Sequence, residues 1–187
     1  MDWILIVYKI PSEPSRYRVS LWRKLKELGA VYLQQAVCLL PATDLIQPII
    51  QQLQADITEM NGISYIFQTK LPDSTSEKDI VSKFNEERDT EYQELIEHIQ
   101  HFYEDVGLEI QQKHFTFGEL EEHEGEYDRI QRWLSKIQAR DYFQANLSGK
   151  AQKWFEKCEP ILNTFSEHIL AHNEAIDNKN QENQENH

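Results

Sequence analysis

Residues 3–41, WILIVYKIPSEPSRYRVSLWRKLKELGAVYLQQAVCLLP, decide the fold. Trp3 to Tyr8 is an unbroken apolar run rich in β-branched and aromatic side chains. Six such residues suit a central strand buried on both faces, and are too few for a buried helix. Pro11 and Pro14 bracket a break, and Ser12 or Ser15 can cap the helix that follows. Val19, Trp22, Leu25 and Leu28, with Leu21 beside them, recur at helical spacing and predict one inward face. Gly29 stands where a helix ends in the left-handed conformation, which glycine adopts without steric cost. The runs 30–33 and 36–40, joined by Gln34 and Gln35, predict a hairpin.

Working outward, 43–60 predicts a second helix from a Thr43 cap, kinked at Pro48 because proline lacks the backbone donor. Residues 63–69, ISYIFQT, predict a fourth strand. The order βαββαβ predicts a ferredoxin-like domain over 1–72, with two helices on one sheet face. After the linker LPDSTS (71–76), Ser76 can cap a helix over 77–106. Its seam runs Ile80, Phe84, Arg88, Tyr92 or Glu91, Leu95, Ile99, Phe102, Val106, and Gly107 is a natural stop. Residues 118–143 carry Leu120, Tyr127, Ile130, Leu134 and Ile137 on one stripe, with Trp133 adjacent. A last helix starts at Ser148, kinked at Pro160, with Ala151, Trp154, Phe155, Cys158, Ile161, Leu162, Phe165 and Ile169 inward. The expected class is therefore α+β, the ferredoxin-like domain followed by a three-helix antiparallel bundle over 77–173. From about 174 the text AIDNKNQENQENH predicts a disordered polar tail.

Composition narrows the functional classes. No apolar run is long enough to span a membrane, and the start lacks a signal-peptide pattern, so no membrane partner is expected. Two cysteines, Cys38 and Cys158, lie far apart and form no C-x-x-C pair, which points to a reducing cytoplasm. Residues 1–70 hold seven Lys/Arg and six Asp/Glu, net +1; the rest hold twelve and twenty-six, net −14. A polyanion would have to meet the first part of the chain.

Candidate chemistry is sparse. His98/His101 and His168/His172 have spacings that a metal on a helix face could use, but nothing nearby completes either pair. They read as packed or solvated histidines, and no metal or other cofactor is expected. Glu87, Glu91 and Glu94 of the acidic run 86–94 share an outward face, the pattern of a solvated surface. Arg88 falls in the apolar seam, where a guanidinium must be paired; Asp141 or a glutamate of a neighbouring helix is the expected partner in a structural ion pair. The acidic segment 119–126 near a helix start is explained by the helix dipole. Cys38, among apolar strand neighbours, reads as a small core residue. No Ser/His/Asp set or Gly-rich phosphate loop is present, so no catalytic residue is named.

The basic helix is the functional candidate. Arg16, Arg18, Arg23, Lys24 and Lys26 lie within eleven residues. Lys24 and Lys26 suit the negative C-terminal end of the helix dipole. Arg16 and Arg18 sit at the other end, where the dipole disfavours cations. Two readings stand. With Lys9 at the end of the first strand, the Ser15 hydroxyl, Arg23 and free backbone N–H groups, these arginines can surround an oxyanion or a nucleic-acid phosphate. Alternatively they pair with Glu13 or with the acidic helices.

The segment VYKIPSEPSRYRVSLWRKLKELGAVYLQQAVCLLP resembles the opening of the N-terminal domain of ChrB, the chromate-resistance regulator family. FNEERDTEY (84–92), FTFGELEE (115–122) and RWLSKIQARDYF (132–143) continue the likeness in order, as far as about 172. The resemblance implies a bacterial or archaeal cytoplasmic protein of the chromate response, acting in transcriptional control on DNA, or sensing chromate itself. Full-length ChrB proteins continue into a second domain where this chain has a polar tail. A separately encoded protein like that C-terminal domain is therefore an expected partner, as is a second copy of the chain. More distantly, the βαββαβ part resembles PaaX-type repressors and small CRISPR-associated nucleases. In the latter an aspartate ends the first strand and holds a metal. Here Lys9 stands there, and a protonated lysine repels a divalent cation. A non-enzymatic regulatory or anion-sensing module is thus set against an enzyme, either a nuclease or a chromate-handling oxidoreductase.

Overall fold

A computed structural model of the chain describes residues 1–185. Its mixed α/β architecture holds one four-stranded sheet and six helices. Strand β1 (Trp3–Lys9) is followed by helix α1 (Ser15–Glu27), β2 (Val31–Gln34), β3 (Val37–Pro41), α2 (Ile46–Glu59) and β4 (Ile63–Thr69). The sheet order is β2-β3-β1-β4 and every neighbouring pair is antiparallel. The apolar run that opens the chain is therefore an interior strand. Trp3 faces one side of the sheet, and Ile4 and Ile6 face the other; all three are buried. On the helical side Ile4, Ile6, Cys38 and Leu40 meet Leu21 and Leu25 of α1 and Ile46, Ile50, Leu53 and Ile57 of α2. Each such side chain contributes about 1.5–3 kcal/mol through its removal from water. On the opposite side Trp3, Val31 and Leu39 pack with Phe84, and Phe143 lies 5.7 Å from Trp3, ring to ring. Edge strand β4 leaves Ile63, Tyr65 and Phe67 exposed.

Two helix ends carry the glycine chemistry. After α1, Gly29 has φ 73°, its N–H bonds to Lys26 O and that of Ala30 bonds to Leu25 O. This is a Schellman ending, and it meets the expectation for Gly29. After α2 the left-handed residue is Asn61 (φ 55°), and Gly62 follows it. A Cβ on Gly62 would lie 2.8 Å from the Lys9 carbonyl oxygen and 2.9 Å from Ile57 Cγ2, so only glycine fits.

Several local expectations are corrected. Neither Ser12 nor Ser15 caps α1: Pro14 is the N-cap residue and there is no side-chain cap bond. Val19 and Trp22 are exposed rather than inward, because the stripe 21, 25, 28 already fills the inner face. Pro48 kinks nothing: α2 begins at Ile46, so proline sits in the first turn, where its missing donor has no intrahelical acceptor. The hairpin turn is Gln35–Ala36.

The remaining helices are α3 (Ser74–Gln112), α4 (Phe117–Gln138), α5 (Ser148–Phe155) and α6 (Cys158–Glu185). The chain divides into two compact units, 1–87 with 140–144, and 88–139 with 145–187. The boundary thus falls inside α3, not in the 71–76 linker. Phe84 ties the first turns of α3 to the sheet, and Tyr142 of the returning 140–144 segment donates to Leu28 O at 2.7 Å. Asp73, rather than Ser76, caps α3, accepting from Thr75 N at 2.9 Å and Ser76 N at 2.8 Å.

In the second unit Tyr92, Leu95, Ile99, Phe102 and Val106 of α3, Ile130, Leu134 and Ile137 of α4, and Ala151, Cys158, Phe165 and Ile169 form one core. The seam read from the sequence is the buried one. Gly107 does not stop α3, which continues to Gln112 and turns at Lys113 (φ 58°). Helix α4 ends at Gln138 instead of 143. The last helix is two: the Pro160 ring is incompatible with the carbonyl four residues back in a continuous helix, and the chain breaks at 156–157. Helix α6 runs on past 174, where the polar tail was expected; residues 186–187 lie outside the described residues. No helix among the described residues is long and apolar enough to cross a membrane.

Candidate anion-binding site

The end of β1, the exposed side of α1 and the β2–β3 turn enclose a cleft of about 500 Å³, lined by Tyr8, Lys9, Ile10, Arg18, Trp22, Gln35 and Ala36. Its floor is fixed by the sheet: Tyr8 N–H donates to Ala36 O at 3.0 Å, and Lys9 stands opposite Ile63 in the β1–β4 register. Its wall is fixed by helical geometry. With Leu21 and Leu25 buried, Ser15, Arg18, Val19 and Trp22, at i, i+3, i+4 and i+7, share an outer face and line a shallow groove. Arg16, Arg23, Lys24 and Glu27 line another groove, with Ser15 and Val19 common to both. The expected group therefore divides. Lys9 and Arg18 meet in one cleft, Ser15 adjoins Arg18, and Arg16 and Arg23 occupy the neighbouring face.

The cations of α1 sort by partner. Lys24 Nζ is paired with Asp56, and Lys26 Nζ donates to Glu87 Oε2 at 2.7 Å. These are the two whose position the helix dipole explains. The Lys24 contact, then a Gln52 hydrogen bond, holds the Asp56 carboxyl below the usual range. Among the described residues Lys9, Arg16, Arg18 and Arg23 have no ion-pair or hydrogen-bond partner. Pairing with Glu13 is therefore not how these arginines are satisfied here. The Arg16 guanidinium lies 5.4 Å from the centroid of its neighbour Tyr17.

Behind the cleft the hydroxyls of Tyr8 and Tyr32 are 3.2 Å apart. Burial raises both phenols above their ordinary range. Burial also pushes the Cys38 thiol up to about 12. Neither phenolate nor thiolate is accessible near neutral pH, and no carboxylate, histidine or cysteine lines the cleft. The cleft thus offers two cations without ion-pair or hydrogen-bond partners among the described residues, a phenol and an exposed indole, a set that can hold an anion.

Trp22 and Tyr8 are the residues that sequence reasoning missed. Trp22 was assigned inward; the stripe Leu21–Leu25–Leu28 would have placed it outward, beside Arg18.

The other candidates have structural surroundings. Arg88 is buried, and its Nη2 donates to Glu91 Oε1 at 3.0 Å within the same helix. Glu91 and Glu87 are half-buried ion-pair partners, not members of a freely solvated face. Asp89 accepts from Asn146 Nδ2 at 2.8 Å and Leu147 N at 2.7 Å, which fixes the turn before α5. His98 contacts Glu126 and packs near Trp133; His168 stacks on Phe115, ring centroids 5.3 Å apart. Among the described residues no group of three or more His, Cys, Asp or Glu side chains could hold a metal ion.

The fold and site define a class: a mixed α/β protein with a cationic, aromatic-walled cleft whose lining holds no carboxylate, histidine or cysteine. The chain belongs to the family described as Protein ChrB, N-terminal, whose model matches residues 18–176. Arg18, Trp22 and Arg23 lie within the match; Lys9, Ser15 and Arg16 precede it. Protein ChrB of Cupriavidus metallidurans is 30% identical over 92 residues, which cover 49% of this chain and 28% of that protein. The matched stretch thus spans less than a third of that relative.

Proposed function

We propose that this chain is a non-enzymatic, cytoplasmic regulatory or anion-sensing protein of the chromate-resistance response, acting in transcriptional control together with a partner. The observation that carries the reading is the pair Lys9 and Arg18, without partners among the described residues and facing one cleft that no carboxylate lines. Family membership supports the link to chromate. The regulatory rather than catalytic reading is favoured by Lys9 at the strand end where the nuclease resemblance calls for an aspartate. The ligand is an oxyanion, chromate or a phosphate of DNA. The partner proposed is a second copy of the chain, which the exposed, uncharged edge β4 supports. In this reading the sheet half is a ferredoxin-like domain, which the order β2-β3-β1-β4 favours, and the second unit is an antiparallel bundle whose third rod is α5 with α6.

The test is titration of chromate, sulfate and duplex DNA into wild type, Lys9→Ala/Arg18→Ala and Arg16→Ala/Arg23→Ala. The first double variant should lose anion binding, and the second should retain most of it. The salt dependence separates the ligands, since DNA held through several phosphates weakens with a slope of about −0.9 per phosphate, far steeper than a single small anion. Binding of all three ligands by Lys9→Ala/Arg18→Ala at wild-type strength would refute the site.

A further inference from the structure

The cleft is built for more than a bare oxyanion. At about 500 Å³ it falls within the range of pockets that take whole organic ligands. An oxyanion would meet Lys9 and Arg18 and leave the rest filled with solvent. The rest is the indole face of Trp22, Ile10, Ala36 and the ring of Tyr8, apolar surfaces that do little for a small anion. Trp22 is 49% exposed on a helix whose inner face is already complete, so packing does not explain an indole there. It lines both the cleft and the adjoining groove with Ser15, Arg18 and Val19. Gln35 at the turn adds an amide that can both donate and accept.

We propose that this cleft takes a nucleoside phosphate, its phosphate on Lys9 and Arg18 and its base stacked on Trp22. The inference rests on the anion-site reading above and adds the second half of the ligand. A phosphate needs charge-assisted donors, and a guanidinium supplies them in the planar fork that matches two phosphate oxygens. A base needs a flat, partly solvated aromatic face, and indole stacking is tolerant of which base it meets. Two sources offer this chemistry, a free mononucleotide and an unpaired nucleotide of a nucleic-acid strand. A base within a duplex does not, because both its faces are stacked.

Isothermal titration with inorganic phosphate, 5′-AMP, an eight-nucleotide single strand and a duplex of the same length tests this. The proteins are wild type, Trp22→Ala, Trp22→Phe and Arg18→Ala, each first shown by its urea midpoint to be folded. Wild type should bind 5′-AMP about 5- to 150-fold tighter than phosphate, the worth of one stacked base. Trp22→Ala should bring 5′-AMP down to the level of phosphate and leave phosphate unchanged, while Trp22→Phe keeps most of the gain. Arg18→Ala should weaken both. Preference for 5′-AMP over the single strand assigns the free nucleotide, and the reverse assigns a strand. Equal wild-type affinity for 5′-AMP and phosphate, unchanged 5′-AMP binding by Trp22→Ala, or a duplex bound more tightly than either nucleotide form overturns the stacking inference while leaving the anion site standing. Absence of phosphate and nucleotide binding alike overturns the anion site as well.

Discussion

Arg88→Ala should destabilise the protein by about 3 kcal/mol. The guanidinium is 1% exposed and sits in a seam between Phe84 and Tyr92, both buried. Removing one partner of a buried ion pair costs about 3–5 kcal/mol, mostly because the other charge is left behind. Glu91 is 27% exposed and keeps some access to water, which places the expectation at the lower end. Truncation also deletes the aliphatic stem packed along α3. Arg88→Met restores that stem and should recover about 1 kcal/mol. Arg88→Met/Glu91→Gln removes the guanidinium together with the Glu91 charge and should be more stable than Arg88→Met alone, since that carboxylate is then not stranded. The assay is urea unfolding followed by circular dichroism at 222 nm, with ΔΔG taken at unchanged slope. A loss below about 1 kcal/mol for Arg88→Ala would show a guanidinium that water reaches. A double variant no better than Arg88→Met would show that the stranded Glu91 charge is not what the truncation costs.

Gly107→Ala should raise stability by about 0.5–1 kcal/mol, because Gly107 lies inside α3 and an added Cβ would meet only Ile161 Cδ1 at 4.0 Å; a loss of stability would mean that the helix stops there after all. The Lys24–Asp56 pair sets a pH dependence. Asp56 is held below its ordinary 3.8, so its contribution is present above that value and fades as pH falls through the folded-state pKa. Asp56→Asn should therefore flatten the urea midpoint below about pH 4 while costing at most about 1 kcal/mol at pH 7; a wild-type acid dependence retained by the variant would assign it elsewhere. Burial pushes the thiols of Cys38 and Cys158 up to about 12, so alkylation at pH 8 should be slow in the native protein and fast in urea. Rapid native labelling of either cysteine would show a thiol open to redox chemistry.

The sheet was legible because its signals are local and strong. WILIVY admits no amphipathic helix, and ISYIFQT is bounded by Asn61–Gly62 and the LPDSTS linker. The α3 seam was legible for the same reason, with a single period carried over seven turns. What failed were the ends and the ambiguous faces. Thr116 and Glu119 form the T-x-x-E pattern of a capping box, and Thr116 Oγ1 accepts from Glu119 N at 3.2 Å, so the start of α4 could have been read. The return of Tyr142 and Phe143 to the sheet could not, because nothing in a helical period says which core an aromatic pair will join. Gly107 misled because a glycine inside a long helix and one that ends it look alike until φ is known. On α1 the apolar residues outnumber the places on the inner face. Two overlapping stripes fit its periodicity, and the one read inward carried Trp22; the structure buries Leu21 instead, and that choice gives the cleft its aromatic wall.

The distribution of charge limits how such a cleft can act. The unit that holds it carries ten Lys/Arg and twelve Asp/Glu, net −2, and the other unit carries nine and twenty, net −11. Lys24 and Lys26 are already committed to Asp56 and Glu87, so the local positive character rests on Lys9, Arg16, Arg18 and Arg23. At physiological ionic strength the screening length is about 8 Å, so an anion inside the cleft answers mainly to the cations that touch it. A long polyanion also meets the field of a chain at −13, and its approach is slowed where a basic protein would hasten it. Small or single-stranded anions are therefore the ligands that this charge pattern least opposes. Extended duplex binding would call for a second source of positive charge, from another copy or another protein. If the isolated chain bound a duplex of twenty base pairs at low salt as tightly as a basic regulator does, the acidic unit would not be repelling it and this account of ligand choice would fail.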